Sequence, residues 1–234
     1  RQRLPQQLCG AALIVRGFPK FPNNKAVADF YCPNCNNQFE QKSKNGTFGK
    51  KISDGAYHTF IQRISSNDNP DFFIMSYSLK NMRVEELYFI PKFFFVPEIV
   101  EQRKPLSENA KRAGWVGCNI LLSEIPTQGR IPIIEKGAFL DKSYVLNRVK
   151  KAQIINVENI AARSWLMDIL QCVNKIKSDD FTLNMMYSFE KELSMKHPHN
   201  KNIRAKIRQQ LQKLRDCGVI VFLGNGHYHK IKLN

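Results

Sequence analysis

Apolar positions along the chain follow two regimes. Up to about Ile134 they form short runs or alternate with polar residues, and beyond about Ala161 they recur every three or four positions. The first regime predicts strands and the second predicts helices. Asp29-Phe30-Tyr31 and Gln38-Phe39-Glu40-Gln41-Lys42 alternate in character on either side of Cys32-Pro33-Asn34-Cys35, so residues 28–42 read as a hairpin with that Cys-x-x-Cys as its turn. Most of the first 25 residues give little pattern, although Ala11 to Val15 could form a short strand. Ser53 offers an N-cap to a helix with Ala56, Phe60, Ile61 and Ile64 on one face. Phe72 to Tyr77 and Leu87 to Ile90 are unbroken apolar runs, the pattern of strands covered on both faces, and Phe93-Phe94-Phe95 extends the block. Arg103 to Arg112 reads as a basic loop leading to Trp115, with Ile120 to Ile125 and Ile131 to Ile134 as further strands.

Lys142 to Lys151 is charged and lacks the strand pattern, which places a boundary there and divides the chain into residues 1–151 and 152–234. In the second part Trp165, Ile169, Leu170 and Val173 mark one helix. Thr182 caps another, with Met186, Phe189 and Leu193 along its stripe. His197-Pro198-His199-Asn200 breaks the pattern, and Ile203, Ile207, Leu211 and Leu214 mark a third helix ended by Cys217-Gly218. Val219 to Leu223 and His227 to Ile231 flank Gly224-Asn225-Gly226 as a hairpin. Three helices followed by a two-stranded wing describe a winged helix-turn-helix.

Charge narrows the partners. Lys and Arg number 36 against 20 Asp and Glu, a net +16, so a polyanion is the first candidate. No run of about 18 apolar residues suggests a membrane span. The third C-terminal helix carries Arg204, Lys206, Arg208, Gln209, Gln212 and Lys213 outside its apolar stripe, and Arg and Gln are the side chains that read guanine and adenine edges. The chain begins Arg1-Gln2-Arg3, and Leu4 to Phe21 is broken by Pro and Gly, so nothing resembles a secretory signal and a cytoplasmic location is expected. Cys118, Cys172 and Cys217 are isolated in apolar surroundings and read as inert thiols, while Cys9, Cys32 and Cys35 look like ligands of a zinc knuckle. No dimerising heptad appears, so a monomer is expected.

The hairpin carries the chemistry. Its register would set Asp29 opposite Glu40, with Lys42 on the same face as Glu40. Two carboxylates and an ammonium at one spot suit Mg²⁺, which takes one or two carboxylates, keeps waters and binds phosphate oxygens. Asp29, Glu40 and Lys42 fit the Asp-x(10)-Glu-x-Lys motif of the PD-(D/E)xK nucleases. Alone this pattern is weak, because such residues are common and their spacing is loose. Trp115 between Gly114 and Gly117 reads either as a plug under a loop or as an aromatic platform for a base.

From about Cys9 onward the chain resembles the DpnI-like methyl-directed restriction endonucleases and Dam-replacing proteins. The resemblance is carried by Val27-Ala28-Asp29-Phe30-Tyr31-Cys32, Phe39-Glu40-Gln41-Lys42-Ser43-Lys44, Asp54-Gly55-Ala56-Tyr57, Gln102-Arg103-Lys104-Pro105-Leu106, Arg112-Ala113-Gly114-Trp115, Gly117-Cys118-Asn119-Ile120 and Lys206-Ile207-Arg208-Gln209-Gln210-Leu211-Gln212. It implies an α/β PD-(D/E)xK nuclease core with a zinc-knuckle-like hairpin, followed by a winged helix, both parts reading Gm6ATC. It further implies that Asp29 and Glu40 hold Mg²⁺ with the Gln41 carbonyl, that Lys42 orients water, and that Trp115 probes the adenine methyl groups. Zinc in the family takes two Cys-x-x-Cys pairs. Here Gln6 stands where one cysteine of the first pair belongs, leaving Cys9, Cys32 and Cys35 as an incomplete set. The short N-terminus without Met suggests a truncated or divergent chain.

The leading expectation is therefore a Mg²⁺-dependent type II endonuclease that cuts both strands of adenine-methylated double-stranded DNA. The alternative is a non-cutting regulator that senses methylation with the same fold. The intact Asp29, Glu40 and Lys42 weigh against that alternative.

Overall fold

The computed structural model describes residues 28–231 apart from Cys35, Asn67 and Glu158. The region of the expected Ala11–Val15 strand, together with Cys9 and Cys35, lies outside them. The chain divides between Ala152 and Gln153 into two compact units.

The first unit begins with β1 (Phe30–Tyr31) and β2 (Gln38–Asn45), which pair antiparallel with Phe30 opposite Phe39 and Tyr31 opposite Gln38. Then come β3 (Lys51–Ala56), α1 (Tyr57–Ser65), β4 (Asp71–Ser78) and β5 (Arg83–Ile90). They are followed by β6 (Val100–Gln102), β7 (Gly117–Leu121), β8 (Ile131–Glu135) and β9 (Ala138–Phe139). A six-stranded sheet runs in the order β1-β2-β4-β5-β8-β9, with β2 and β4 parallel and the other neighbours antiparallel. A second, three-stranded antiparallel sheet has the order β3-β7-β6.

The unbroken apolar runs become the central strands β4 and β5 because both their faces are covered. On one face Phe39, Phe73 and Phe89 pack at centroid distances of 5.9 and 5.3 Å across the sheet. On the other, Phe60 of α1 meets Phe72 edge-on at 5.9 Å, and Phe95 lies 4.4 Å from Phe72. The register sets Glu40 beside Phe72 and Lys42 beside Ile74, so both polar groups share this second face.

Three local expectations change. Ser53 is not a helix cap: it lies inside β3, its hydroxyl 3.2 Å from Asn119 Oδ1, and α1 starts at Tyr57 without a side-chain cap. Exposure alternates along β3, but Ile52 is its only buried apolar side chain, so hydrophobicity does not mark the strand and its partner fixes it, with Ile52 opposite Ile120. The strand placed at Ile120 to Ile125 is β7, which ends at Leu121 before a single 3₁₀ turn, Leu122–Glu124. The charged boundary segment is helical, α2 (Lys142–Ile154), with Val145, Val149 and Ala152 buried at helical spacing. Asp141 accepts hydrogen bonds from the first-turn amides of Ser143 (2.8 Å) and Tyr144 (3.1 Å).

The second unit contains α3 (Ile160–Lys175), β10 (Asp180–Thr182), α4 (Leu183–Tyr187) and α5 (Glu190–Lys196). Helix α6 (Ile203–Asp216) and the hairpin β11 (Ile220–Gly224) and β12 (His227–Lys230) complete it. Thr182 caps α4 by accepting from Met185 N, but the helix expected there breaks at Ser188 and Phe189 into α4 and α5. Gly218 ends α6 at φ +66°, and the wing turns through Gly224, Asn225 and Gly226 at φ +93°, +48° and +75°. Strand β10 adds a third member to the wing sheet, in the order β10-β12-β11. It is too short to show a period.

Candidate nuclease and DNA-binding sites

Register continuing from Phe30 opposite Phe39 places Asp29 across from Glu40. Gln41 N donates to Asp29 Oδ2 at 2.7 Å, so the backbone of β2 holds that carboxylate at the strand edge. A residue's N–H and C=O leave an extended strand on the same side, so the Gln41 carbonyl opens toward Asp29 as well. Lys42 lies two residues after Glu40 on the same face, and its Nζ donates to Glu40 Oε1 at 2.5 Å. A third carboxylate arrives from the other sheet. Asp54 of β3 accepts from Lys42 Nζ at 2.8 Å through Oδ1, and its side chain is only 6% exposed. The sequence does not mark Asp54 as a site residue, because Ser53 beside it has the character of a helix cap. Its appearance in Asp54-Gly55-Ala56-Tyr57 was the one available signal.

Burial pushes the Glu40 carboxyl above its ordinary value, and the neighbouring carboxylates of Asp54 and Asp29 add to this against the pull of Lys42. Burial alone would lower Lys42, yet the carboxylates of Asp54 and Glu40 outweigh it and hold the ammonium above its usual value. Lys42 is therefore charged at neutral pH. Among the described residues no group of three or more His, Cys, Asp or Glu is spaced to enclose a metal ion. The set at hand is more open: two carboxylates and a carbonyl at a strand edge, all hard oxygen donors, one of them on exposed Asp29. That suits a cation which keeps much of its water. Along the same sheet face a cleft of about 540 Å³ extends past Ile74 and Tyr88, with Lys50, Arg130 and Arg148 among its lining residues.

In the second unit α6 buries Ile203, Ile207, Gln210, Leu211 and Leu214. At 100° per residue the opposite face centres on Ala205, Arg208, Gln209 and Gln212, all exposed. Lys206 and Lys213 sit half-buried on one flank, and Lys206 Nζ lies 5.8 Å from the Trp165 ring centre. Arg204 is exposed on the other flank, paired with Glu190 at 2.8 Å, while Arg208 donates to the Tyr187 hydroxyl at 2.7 Å. The turn before α6 is pinned by His197, whose ring stacks on Trp165 at 3.8 Å and whose Nε2 lies 2.8 Å from Asp168 Oδ2.

Comparison with known families fits both halves. The sequence profile of the Dam-replacing (DpnI) family matches residues 6–158, and that of the Dam-replacing HTH domain matches residues 161–230. The chain belongs to the DpnI-type Dam-replacing family. Its fold is mixed α/β with a C-terminal helix-turn-helix domain, and membership implies methyl-directed DNA binding of the restriction type, with nuclease character. No helix among the described residues is long and apolar enough to cross a membrane.

Within this Dam-replacing chain the loop from Arg103 to Val116 presents Trp115. The ring is half-exposed, with Arg112 Cζ 4.6 Å from its centre, and it lies against Gly117, where an added Cβ would come within 2.9 Å of the ring. Hydrogen bonds from Leu106 N to Trp115 O (2.9 Å) and from Gly114 N to Leu106 O (3.0 Å) close the loop beneath it. Of the cysteine set only Cys32 is described. It is fully buried at the hairpin turn, where Asn36 N donates to its carbonyl at 2.8 Å. Cys118 and Cys172 are buried with thiols pushed up to about 12 by desolvation, as inert thiols should be.

Proposed function

We propose that this protein is a Mg²⁺-dependent type II endonuclease of PD-(D/E)xK type that hydrolyses both strands of adenine-methylated DNA at a Gm6ATC-like site. The observation that carries the reading is the convergence of Asp29, Glu40 and Lys42 within one hairpin of a Dam-replacing family member. Asp29, Glu40 and the Gln41 carbonyl would hold the cation. When bound, Mg²⁺ supplies charge stabilisation to the attacking and leaving oxygens of the phosphodiester. Lys42 donates to Glu40 and Asp54, and its part is to hold a water and the phosphate oxygens in line. The Gln41 amide fixes Asp29, and the buried sheet face keeps Glu40 from turning into solvent.

Specificity belongs to two separate surfaces. Trp115 offers a flat apolar ring for an adenine methyl group, whose loss forfeits contact area. Arg204, Lys206, Arg208, Gln209, Gln212 and Lys213 of α6 would enter the major groove, with Arg208, Gln209 and Gln212 best placed to reach base edges. Cys32 and Cys35, with Cys9, would form a zinc knuckle at the hairpin turn, and a zinc content of about one per purified chain tests this. We take the protein to act in the cytoplasm as a monomer. The deciding experiment is incubation with fully methylated and unmethylated plasmid, with and without Mg²⁺. Linear product from methylated plasmid in Mg²⁺ alone supports the reading. Binding without cleavage would make the protein a methylation-sensing regulator.

A further inference from the structure

The hydrolysis described so far makes no use of Asp54. Yet Asp54 is buried on β3, its Oδ1 accepting from both Lys42 Nζ (2.8 Å) and Gly55 N (2.6 Å). Its other oxygen, Oδ2, is buried and has no hydrogen-bond partner among the described residues. A buried carboxylate oxygen without a donor has lost its hydration with nothing in return. Such a group is costly as pure scaffold, and its charged partner is Lys42.

Lys42 explains why a second acid is needed. A lysine held by Glu40 alone would be tied to a side chain that the nuclease reading commits to a divalent cation, and the ammonium would then be drawn toward a like charge. Asp54 pulls from a different sheet. We infer that Asp54 is a positioning residue for Lys42: through Oδ1 it keeps the ammonium in place once Glu40 turns to the cation. Lys42 has three N–H donors and spends two on Glu40 and Asp54, so one remains for the water it holds. This assignment rests on the nuclease reading for its catalytic half only. The Lys42–Asp54 pairing stands apart from it.

The test uses the full chain with Asp54→Asn, which keeps shape and removes charge, and Asp54→Glu as the conservative variant. Asp54→Asn should slow single-turnover cleavage at saturating methylated duplex about 100-fold. Duplex affinity in Ca²⁺, the Mg²⁺ half-saturation and the melting temperature should stay near wild type, and Asp54→Glu should recover part of the rate. A rate within about threefold of wild type, or a loss matched by falls in melting temperature and duplex affinity, overturns the role. If the wild type cuts no DNA, the nuclease reading fails and the pairing is still measured. In chelator, Lys42→Met and Asp54→Asn should shift the melting temperature less together than the sum of their single shifts. Additive shifts overturn the pairing.

Discussion

Each unit of this protein buries one cluster of acids and bases, and the two are balanced in opposite ways. In the second unit a single acid, Asp168, gives Oδ1 to Lys196 at 2.7 Å and Oδ2 to His197 at 2.8 Å, so both oxygens are satisfied. In the first unit a single base, Lys42, is shared by Glu40 and Asp54, with Asp29 at the strand edge and Asp54 Oδ2 left over. A satisfied cluster fixes structure, here the turn before α6. An acid-rich cluster with spare oxygens is a site still short of positive charge. Distances are alike in the two, and the count of donors against acceptors separates them.

Breaking each cluster should therefore give different losses. Lys42→Ala or Asp29→Ala should abolish cleavage, by more than about 1000-fold, while leaving duplex binding nearly intact. Plasmid cleavage and fluorescence anisotropy measure the two, and near-normal cutting by either variant would misplace the active site. Asp168→Ala should act on stability instead, lowering it by about 3–5 kcal/mol because Lys196 and His197 lose their common partner. Urea unfolding of the full chain reads this, and a loss under about 1 kcal/mol would remove the structural role assigned to the cluster.

A third carboxylate sharpens the comparison through pH. Asp71 is fully buried, and desolvation raises its pKa to about 6 although it accepts from Lys92 N at 2.7 Å. Between the unfolded value of 3.8 and about 6 the folded chain keeps a proton that the unfolded chain has lost. Stability from this group is thus present at low pH and disappears as pH rises through 6. Asp71→Asn should gain on wild type between pH 4 and pH 7 by up to about 3 kcal/mol, and melting curves at the two pH values would show it. A constant difference would mean the acid is not protonated in the fold. The smallest effect belongs to Trp115→Ala, which should reduce the preference for methylated over unmethylated duplex about tenfold, on the order of 1.4 kcal/mol. An unchanged cleavage ratio across methylated, hemimethylated and unmethylated duplexes would assign Trp115 to loop packing.

The elements legible in the sequence are those whose own residues carry a period. The hairpin register followed from alternation around Cys32 to Cys35, and the stripe of α6 from Ile203, Ile207, Leu211 and Leu214. What stayed hidden depends on partners far along the chain. Strand β3 buries only Ile52, so its sequence Lys-Ile-Ser-Asp-Gly-Ala shows no face, and Ser53 passed for a cap. The same misreading concealed Asp54. Strand β10 was missed because Phe181 alone is buried within it. Helix α2 was passed over because its charged residues outweigh Val145, Val149 and Ala152.

The parallel pairing of β2 with β4 has a consequence for how the site is drawn from the chain. Asp29, Glu40 and Lys42 lie within one hairpin and come together by a short loop closure. A parallel neighbour cannot follow through a tight turn, so the chain must leave the sheet after Asn45 and return at Asp71, and β3 lies on that excursion. Among the described residues strand β3 pairs only with β7, whose first residue is Gly117. The site therefore joins a local part, the hairpin that carries Asp29, Glu40 and Lys42, to a distant one, since Asp54 is held over Lys42 by a strand whose partner lies far along the chain.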